Sequence, residues 1–321
     1  MSRYARQEIL PEVGPDGQKR LAEAHILVVG AGGLGSAALP LLAGAGVGTI
    51  TIVDGDRVNI SNLHRQTLFS ESDTGRAKAE VAAERCRALN SEIVVESKTL
   101  SLTPANAPGL VETADIVLDC ADSYAASYTL SDECYAMGTL FISAAILGFS
   151  GYAGGFCGGA PSLRAVFPNA PENAANCASA GVIGPAVAIL GAVQAQMTLA
   201  VILRLDPSPL GLLHRIDAKS FKSQTFRFDG AEEPARAHPF AAPTDLRDDD
   251  LIVELRSVAE APTPAHPAAI RLAPEEIRAP ADHPGQRLAL CCATGLRAWR
   301  AAETLQDNWP GEIVLVAAST S

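Results

Sequence analysis

Basic, acidic and amide side chains fall between residues 54 and 123 of the chain in an order that suits a polyphosphate ligand. Gly30-Ala31-Gly32-Gly33-Leu34-Gly35 is a G-x-G-x-x-G turn. Asp54 and Asp56 follow, then Ser61-Asn62-Leu63-His64-Arg65-Gln66, Lys78, and Asp119-Cys120-Ala121-Asp122-Ser123. Glycines let a backbone approach a phosphate, and the helix that opens after them offers free N–H groups and partial positive charge. Asp54 stands where a carboxylate accepts ribose hydroxyls. Arg65 and Lys78 suit a polyphosphate whose charge shifts during reaction. The carboxylates at 119 and 122 end a strand, where α/β sheets hold ligands and where Mg2+ could be held. The glycine motif alone does not separate NAD from ATP. An NAD-dependent oxidoreductase is disfavoured because nicotinamide needs a flat slot rather than this density of cationic and amide donors.

The elements that must position these residues are legible as alternating runs. The β-branched stretches His25–Val29 and Thr49–Val53 read as strands, as do 93–96, 115–119 and 140–144, with helical patterns at 36–45 and 77–89. Strands alternating with helices predict a parallel sheet covered on both faces. Residues 151–167 and 212–228 read as antiparallel hairpin material around a long apolar helix at 182–203. The Pro/Ala/Glu-rich run that follows has no periodicity and reads as a linker. Strands at 251–255, 287–290 and 313–316 with a helix at Leu296–Leu305 complete a second small α/β domain. The expected division is a Rossmann-type nucleotide-binding domain at 1–228, a linker at 229–245 and a small α/β domain at 246–321.

Composition narrows the setting. A chain of 321 residues exceeds one average domain of about 150, and with 48% hydrophobic and 19% charged residues it reads as globular. A net charge of −11 argues against nucleic acid and anionic membranes as partners. Seven cysteines, at 86, 120, 134, 157, 177, 291 and 292, form no Cys-x-x-Cys pair, and the N-terminus has no apolar signal region. A reducing cytoplasm is the expected compartment. The apolar stretch 182–203 is long enough to cross a bilayer, but Gly184-Pro185, Gln194 and Gln196 favour a core or dimer-interface helix.

The run Arg3-Tyr4-Ala5-Arg6-Gln7, the glycine turn, Asp54-x-Asp56, Ser61-Asn62-Leu63-x-Arg65-Gln66, Lys78 and Asp119-Cys-x-Asp122 resemble the E1-like ThiF/MoeB/HesA adenylyltransferases from residue 3 to about 228. The resemblance implies adenylation of the C-terminal glycine of a ubiquitin-like sulfur-carrier protein, of ThiS or MoaD type, ending in Gly-Gly. It further implies that Gly33, Asp54, Asn62, Arg65 and Lys78 contact ATP, within a site spanning 30–35, 54–56, 61–66, Lys78, Asp122 and Ser123. Asp122 would hold Mg2+, and Arg6 would reach the phosphates from the second subunit of a homodimer. His64 and Ser123 depart from the glutamine and asparagine usual in the family, though both still hydrogen-bond. Many members carry a structural zinc on two Cys-x-x-Cys pairs. Here the first region reads Pro161-Ser-Leu-Arg-Ala165 and no cysteine lies between 177 and 291, so no zinc is expected.

Two cysteines suggest sulfur chemistry. Cys177 lies in a segment resembling the crossover loop of ThiF-like enzymes, where a cysteine can form a covalent link. The last 70-odd residues resemble a rhodanese module. Residues 251–256 stand at its Asp-Val-Arg strand, His266-Pro-Ala-Ala-Ile270 resembles its His-Ile-Pro-Gly-Ala, and Cys292-Ala-Thr-Gly295-Leu-Arg297 matches its Cys-x-x-Gly-x-Arg persulfide loop. Loop N–H groups, a helix N-terminus and Arg297 would favour a thiolate or persulfide on Cys292. A cysteine desulfurase or similar donor would supply the sulfur. The non-enzymatic alternative is a carrier-binding scaffold with a degenerate site, which Arg6, Arg65, Lys78 and Asp122 weigh against.

Overall fold

The β-branched runs near the N-terminus become adjacent parallel strands because each is apolar on both faces and can be buried on both. A computed structural model describes residues 2–171, 181–273, 276–277 and 285–318. Parallel strands β1 (His25–Val29), β2 (Thr49–Val53), β3 (Val94–Lys98), β4 (Ile116–Asp119) and β5 (Leu140–Leu147) continue into antiparallel β6 (Ser150–Cys157), β7 (Leu212–Asp217) and β8 (Lys222–Arg227). They form one sheet ordered β3-β2-β1-β4-β5-β6-β7-β8. Strand order reverses between β1 and β4, which opens a crevice at their carboxyl ends, the position where α/β sheets take ligands.

Among the described residues the helices of this domain are α1 (Ala5–Glu8), α2 (Gly14–Glu23), α3 (Gly33–Ala45), α4 (Lys78–Leu89), α5 (Ala107–Val111), α6 (Tyr124–Met137), α7 (Leu163–Val166) and α8 (Gly184–Leu203). The short α1 and α2 are not announced by the sequence periodicity. The long apolar segment forms α8, most of whose side chains are buried against α3 and the sheet, as a core helix requires. Gly191 makes that approach possible: a Cβ there would stand 2.5 Å from the Leu34 carbonyl in the first turn of α3.

A second, parallel sheet, ordered β10-β9-β11-β12, contains β9 (Leu251–Glu254), β10 (Ile270–Arg271), β11 (Leu288–Cys292) and β12 (Ile313–Ala317), with α9 (Leu296–Leu305) against it. Two expectations need correction here. β11 runs through Cys292, so this cysteine ends a strand rather than sitting within a loop. The segment expected as a free linker is packed: the Ala241 N–H donates to Leu315 and the Leu315 N–H to Pro239, so this stretch pairs with β12. Its apolar residues Phe240 and Ala242 prefer burial to the extended coil that composition suggested.

The two domains share a core. The Tyr128 ring of α6 meets the Trp299 indole of α9 edge-on, centroids 4.6 Å apart, and the Arg164 guanidinium lies 5.0 Å from the first ring centre and 5.7 Å from the second. Arg164 also bonds both carboxylate oxygens of Asp132, at 2.6 and 2.8 Å, and the carbonyl of His238 at 3.1 Å. Nearby, the N–H and hydroxyl of Ser162 donate to the Glu233 carboxylate at 2.7 and 2.6 Å, tying the strand exit to the tail of the first domain.

Candidate nucleotide-binding site

Two turns meet at the β1–β4 crevice. Gly30 leaves β1 with φ +98, a conformation that favours glycine, and a Cβ there would stand 2.6 Å from the Cys120 carbonyl. The glycine turn and the turn that carries Asp122 are therefore in direct backbone contact. Gly32 caps α3, whose first-turn N–H groups have no intrahelical partner and face the crevice side of the sheet. Asp54 braces this turn: its carboxylate accepts from the N–H of Ala31 at 2.7 Å and of Asp56 at 2.8 Å. Burial pushes the Asp54 carboxyl above its usual range, against these backbone donors and the nearby Lys78 charge.

The next group follows β2. Asn59 caps a short turn by accepting from both the N–H and the hydroxyl of Ser61, at 2.9 and 2.8 Å. Asn62 Oδ1 accepts from Arg65 at 3.3 Å, and Arg65 Nη1 lies 2.8 Å from His64 Nε2. Arginine has no acceptor, so His64 must present its Nε2 lone pair, and the histidine gives the guanidinium a neighbouring orienting partner. Leu63 packs on the core beneath them. Gln66 is buried beside Gly32, and its Oε1 is an interior acceptor without a hydrogen-bond partner, which fits a site that a ligand completes. Lys78 opens α4, is 4% exposed, and donates to Asp56 Oδ2 at 2.8 Å.

Asp119 and Asp122 have different tasks. The Asp119 carboxyl is wholly buried, accepting from the Ser143 hydroxyl at 2.8 Å and the Ala121 N–H at 3.1 Å. Burial pushes it up to about 6, against hydrogen bonds from Ser127 and Ser143. Asp122 and Ser123 are exposed, Ser123 at the N-cap of α6. Among the described residues no three His, Cys, Asp or Glu side chains converge on a metal position. A single exposed carboxylate beside a phosphate turn still fits Mg2+, which binds through one or two carboxylates together with substrate phosphates and retained waters.

Arg6 is set apart from these groups. Arg3 donates to Leu89 O, the Tyr4 hydroxyl accepts from Asn90, the Tyr4 ring covers Gly46, and Gln7 donates to Gln18 and Ala45. All these anchors lie at the carboxyl end of α3 or beside it. The glycine turn is at the other end of that 13-residue helix, about 20 Å away at 1.5 Å per residue. The exposed Arg6 is therefore remote from its own chain's glycine turn.

Of the sulfur candidates the structure describes Cys292 alone, at the end of β11 in the second sheet. Cys177 lies outside the described residues. Cys292 is buried, its sulfur accepting from the Ala298 N–H at 3.4 Å, while Arg297 pairs with Glu260 at 2.7 Å. Gly295 caps α9 in the left-handed region. Burial pushes the neighbouring Cys291 thiol up to about 12, as for an inert core residue. The six described cysteines are all free and buried.

One residue at the site escaped the sequence reading. Gln194 of α8 is completely buried and donates to the Asp119 carbonyl at 2.7 Å. Its signal was present as an amide in an otherwise apolar helix.

Residues 4–236 match the model of the ThiF family. The chain is 43% identical over 219 residues to "Adenylyltransferase and sulfurtransferase MOCS3" of Sus scrofa, covering 67% of this chain and 48% of that protein. It is 40% identical over 237 residues to "Sulfur carrier protein adenylyltransferase" of Thermus thermophilus, covering 71% and 88%. The chain thus spans about half the length of the MOCS3-type relatives it matches. Among solved structures, Escherichia coli MccB crystallised with ATP shares the fold with a TM-score of 0.63 at 23% identity, covering 71% of this chain and 72% of that one.

Proposed function

The chain belongs to the ThiF family, and on that premise we propose that it uses ATP to adenylate the C-terminal carboxylate of a ubiquitin-like sulfur-carrier protein ending in Gly-Gly. The observation that carries this reading is the contact of the glycine turn with the Asp122 turn at Gly30 and Cys120, flanked by Arg65 and Lys78. The carrier carboxylate attacks the α-phosphorus of ATP and pyrophosphate leaves. No covalent enzyme nucleophile is needed, so the work is in-line positioning and charge neutralisation. The α3 N-terminus and glycine N–H groups hold phosphate oxygens, and Asp54 accepts the ribose hydroxyls. Arg65, oriented by His64 and Asn62, and Lys78, shared with Asp56, balance the charge that builds on the departing pyrophosphate. Mg2+, held by Asp122, would neutralise phosphate charge when bound. Arg6 acts on a second copy's site, because its own glycine turn is a helix length away; the active unit is a homodimer. The compartment is a reducing cytoplasm, in keeping with the free buried cysteines.

We propose that a persulfide on Cys292 of the rhodanese-like second domain, loaded by a cysteine desulfurase or similar donor, attacks the acyl-adenylate and expels AMP to give an acyl-persulfide. Cys177 then attacks the Cys292 sulfur, releasing the carrier thiocarboxylate and leaving a Cys177–Cys292 disulfide that a dithiol reductant reopens. Because that domain is docked through Trp299 and Arg164, Cys292 would have to be uncovered for each transfer rather than swing on a free tether. No structural zinc is part of this reading. ATP–pyrophosphate exchange with a purified carrier tests the adenylation step. Arg65→Ala and Asp122→Ala are expected to abolish exchange with the fold intact, whereas Cys292→Ala should spare exchange and block thiocarboxylate formation. Exchange within about tenfold of wild type in the first two variants, about 1.4 kcal/mol of barrier, would remove those residues from the mechanism.

A further inference from the structure

The peptide that carries Asp122 is held from behind by a side chain no part of the nucleotide motif contains. Gln194 sits in α8 among the buried residues Leu190, Gly191, Ala195, Met197 and Thr198. Its Nε2 donates to the carbonyl of Asp119 at 2.7 Å and lies 3.5 Å from the carbonyl of Ile142. Its Oε1 accepts from the Cys120 thiol at 3.6 Å. One amide thus spans the carboxyl end of β4 and its neighbour β5, adding a side-chain donor to the Asp119 carbonyl at the end of the β4–β5 ladder. Burying an amide there is tolerable only because both of its ends are bonded.

The same turn is fixed from its own side by Asp119. Its carboxylate accepts from the Ala121 N–H at 3.1 Å and from the Ser143 hydroxyl of β5 at 2.8 Å. The Cys120 N–H donates to Val29 O in β1 at 2.8 Å. Apart from the Ile142 contact, these bonds act on residues 119–121, and none on the exposed Asp122 side chain. The same stretch forms the floor against which Gly30 packs. The separation between the Asp122 carboxylate and the glycine turn is therefore decided by the clamp on 119–121.

We infer that Gln194, acting with Asp119 and Ser143, is a positioning residue that places the Asp122 carboxylate against the metal-bound phosphates of ATP. The inference rests on the adenylation reading and assigns a role to a helix outside its motifs. A metal position defined by one protein carboxylate and the ligand's own phosphates has no other protein group to restore its geometry, so a small relaxation of the turn should be felt as lost metal coupling. Binding of ATP through the glycine turn, Asp54 and Arg65 should be little affected.

The test compares ATP binding by isothermal titration calorimetry in excess Mg2+ and in EDTA, with no carrier present. Wild type should bind more tightly with the metal, and Asp122→Ala should lose that increment. Gln194→Met, similar in volume but without the amide, should lose most of the increment, about tenfold in Kd, while its affinity in EDTA stays near that of wild type. An increment in Gln194→Met equal to wild type overturns the inference, as does an equal loss of affinity with and without metal, which would mark a merely structural role. Wild type that binds no ATP under either condition instead overturns the adenylation reading. Should Gln194→Met fail to fold by circular dichroism, Ser143→Ala removes only a hydroxyl from the same clamp and is held to the same two criteria.

Discussion

Asp119 concentrates the tension between stability and placement at this site. A carboxyl in water titrates near 3.9, while burial raises this one to about 6 in the fold. The folded protein therefore binds more protons than the unfolded chain between those values. The stability that the protonated group contributes is complete below the unfolded pKa and is lost as pH rises through about 6. Asp119→Asn keeps the shape and removes the ionisation. It should unfold at higher denaturant than wild type at pH 8, by about 3 kcal/mol if each pKa unit is worth ~1.4 kcal/mol, and show no gain at pH 4. Parallel urea titrations at the two pH values check it; an equal change at both would mean ionisation is not the source. His64 makes a different point. It departs from the family's usual glutamine, yet its Nε2 supplies an acceptor for Arg65, so the guanidinium keeps an orienting partner.

At the scale of elements, the glycine turn depends on a helix distant in sequence. α8 lies against the first turn of α3 because Gly191 has no side chain to hold them apart. In Gly191→Ala the new methyl would meet the Leu34 carbonyl, a backbone atom that cannot rotate away. Alanine favours a helix by about 1 kcal/mol over glycine, but overpacking costs about 1–3 kcal/mol, and here the helices must separate. The variant should melt below wild type and bind ATP more weakly, since the α3 N-terminus moves with Leu34. Thermal melts with and without ATP measure both, and a Tm at or above wild type would show that the helices have room to part. Ser162 and Glu233 are tied by two charge-assisted hydrogen bonds, which join segments about 70 residues apart in the chain.

Across the whole molecule, one apolar cluster runs from Leu27 and Val29 through Tyr128 and Phe156 to Phe240, Trp299 and Leu315. A shared core couples the two domains, so they should unfold together. The chain offers a direct readout because both tryptophans, Trp299 and Trp309, lie in the second domain, while most helix belongs to the first. Tryptophan fluorescence and far-UV circular dichroism should give coincident urea transitions. Trp299→Ala, which empties the contact with Tyr128 and Arg164, should shift unfolding of the whole chain by about 3–5 kcal/mol. Two separated transitions in wild type would show independent domains.

What could be read without coordinates was local. The Gly30–Gly35 turn declares itself because close backbone approach admits few residue types, and β1, β2 and β4 do so because strands buried on both faces must be β-branched runs. Arg65, Lys78 and Asp122 could be singled out by motif, and the structure sets Arg65 beside Gly33 and the turn before Asp122 against Gly30. What spacing could not supply was anything depending on a partner far along the chain. Gln194 was visible only as an oddity in an apolar helix, because its role comes from carbonyls about 50 and 75 residues away across the sheet. The Pro- and Ala-rich stretch before residue 246 looked like free linker because composition reports local propensity, whereas Phe240 is held by the shared core and its neighbours by the edge of β12. Cys292 looked like a loop cysteine by motif, and its burial at the end of β11 was decided by pairing with β12. Tertiary structure settles such cases because burial and long-range hydrogen bonds outweigh the few tenths of a kcal/mol by which local preference speaks.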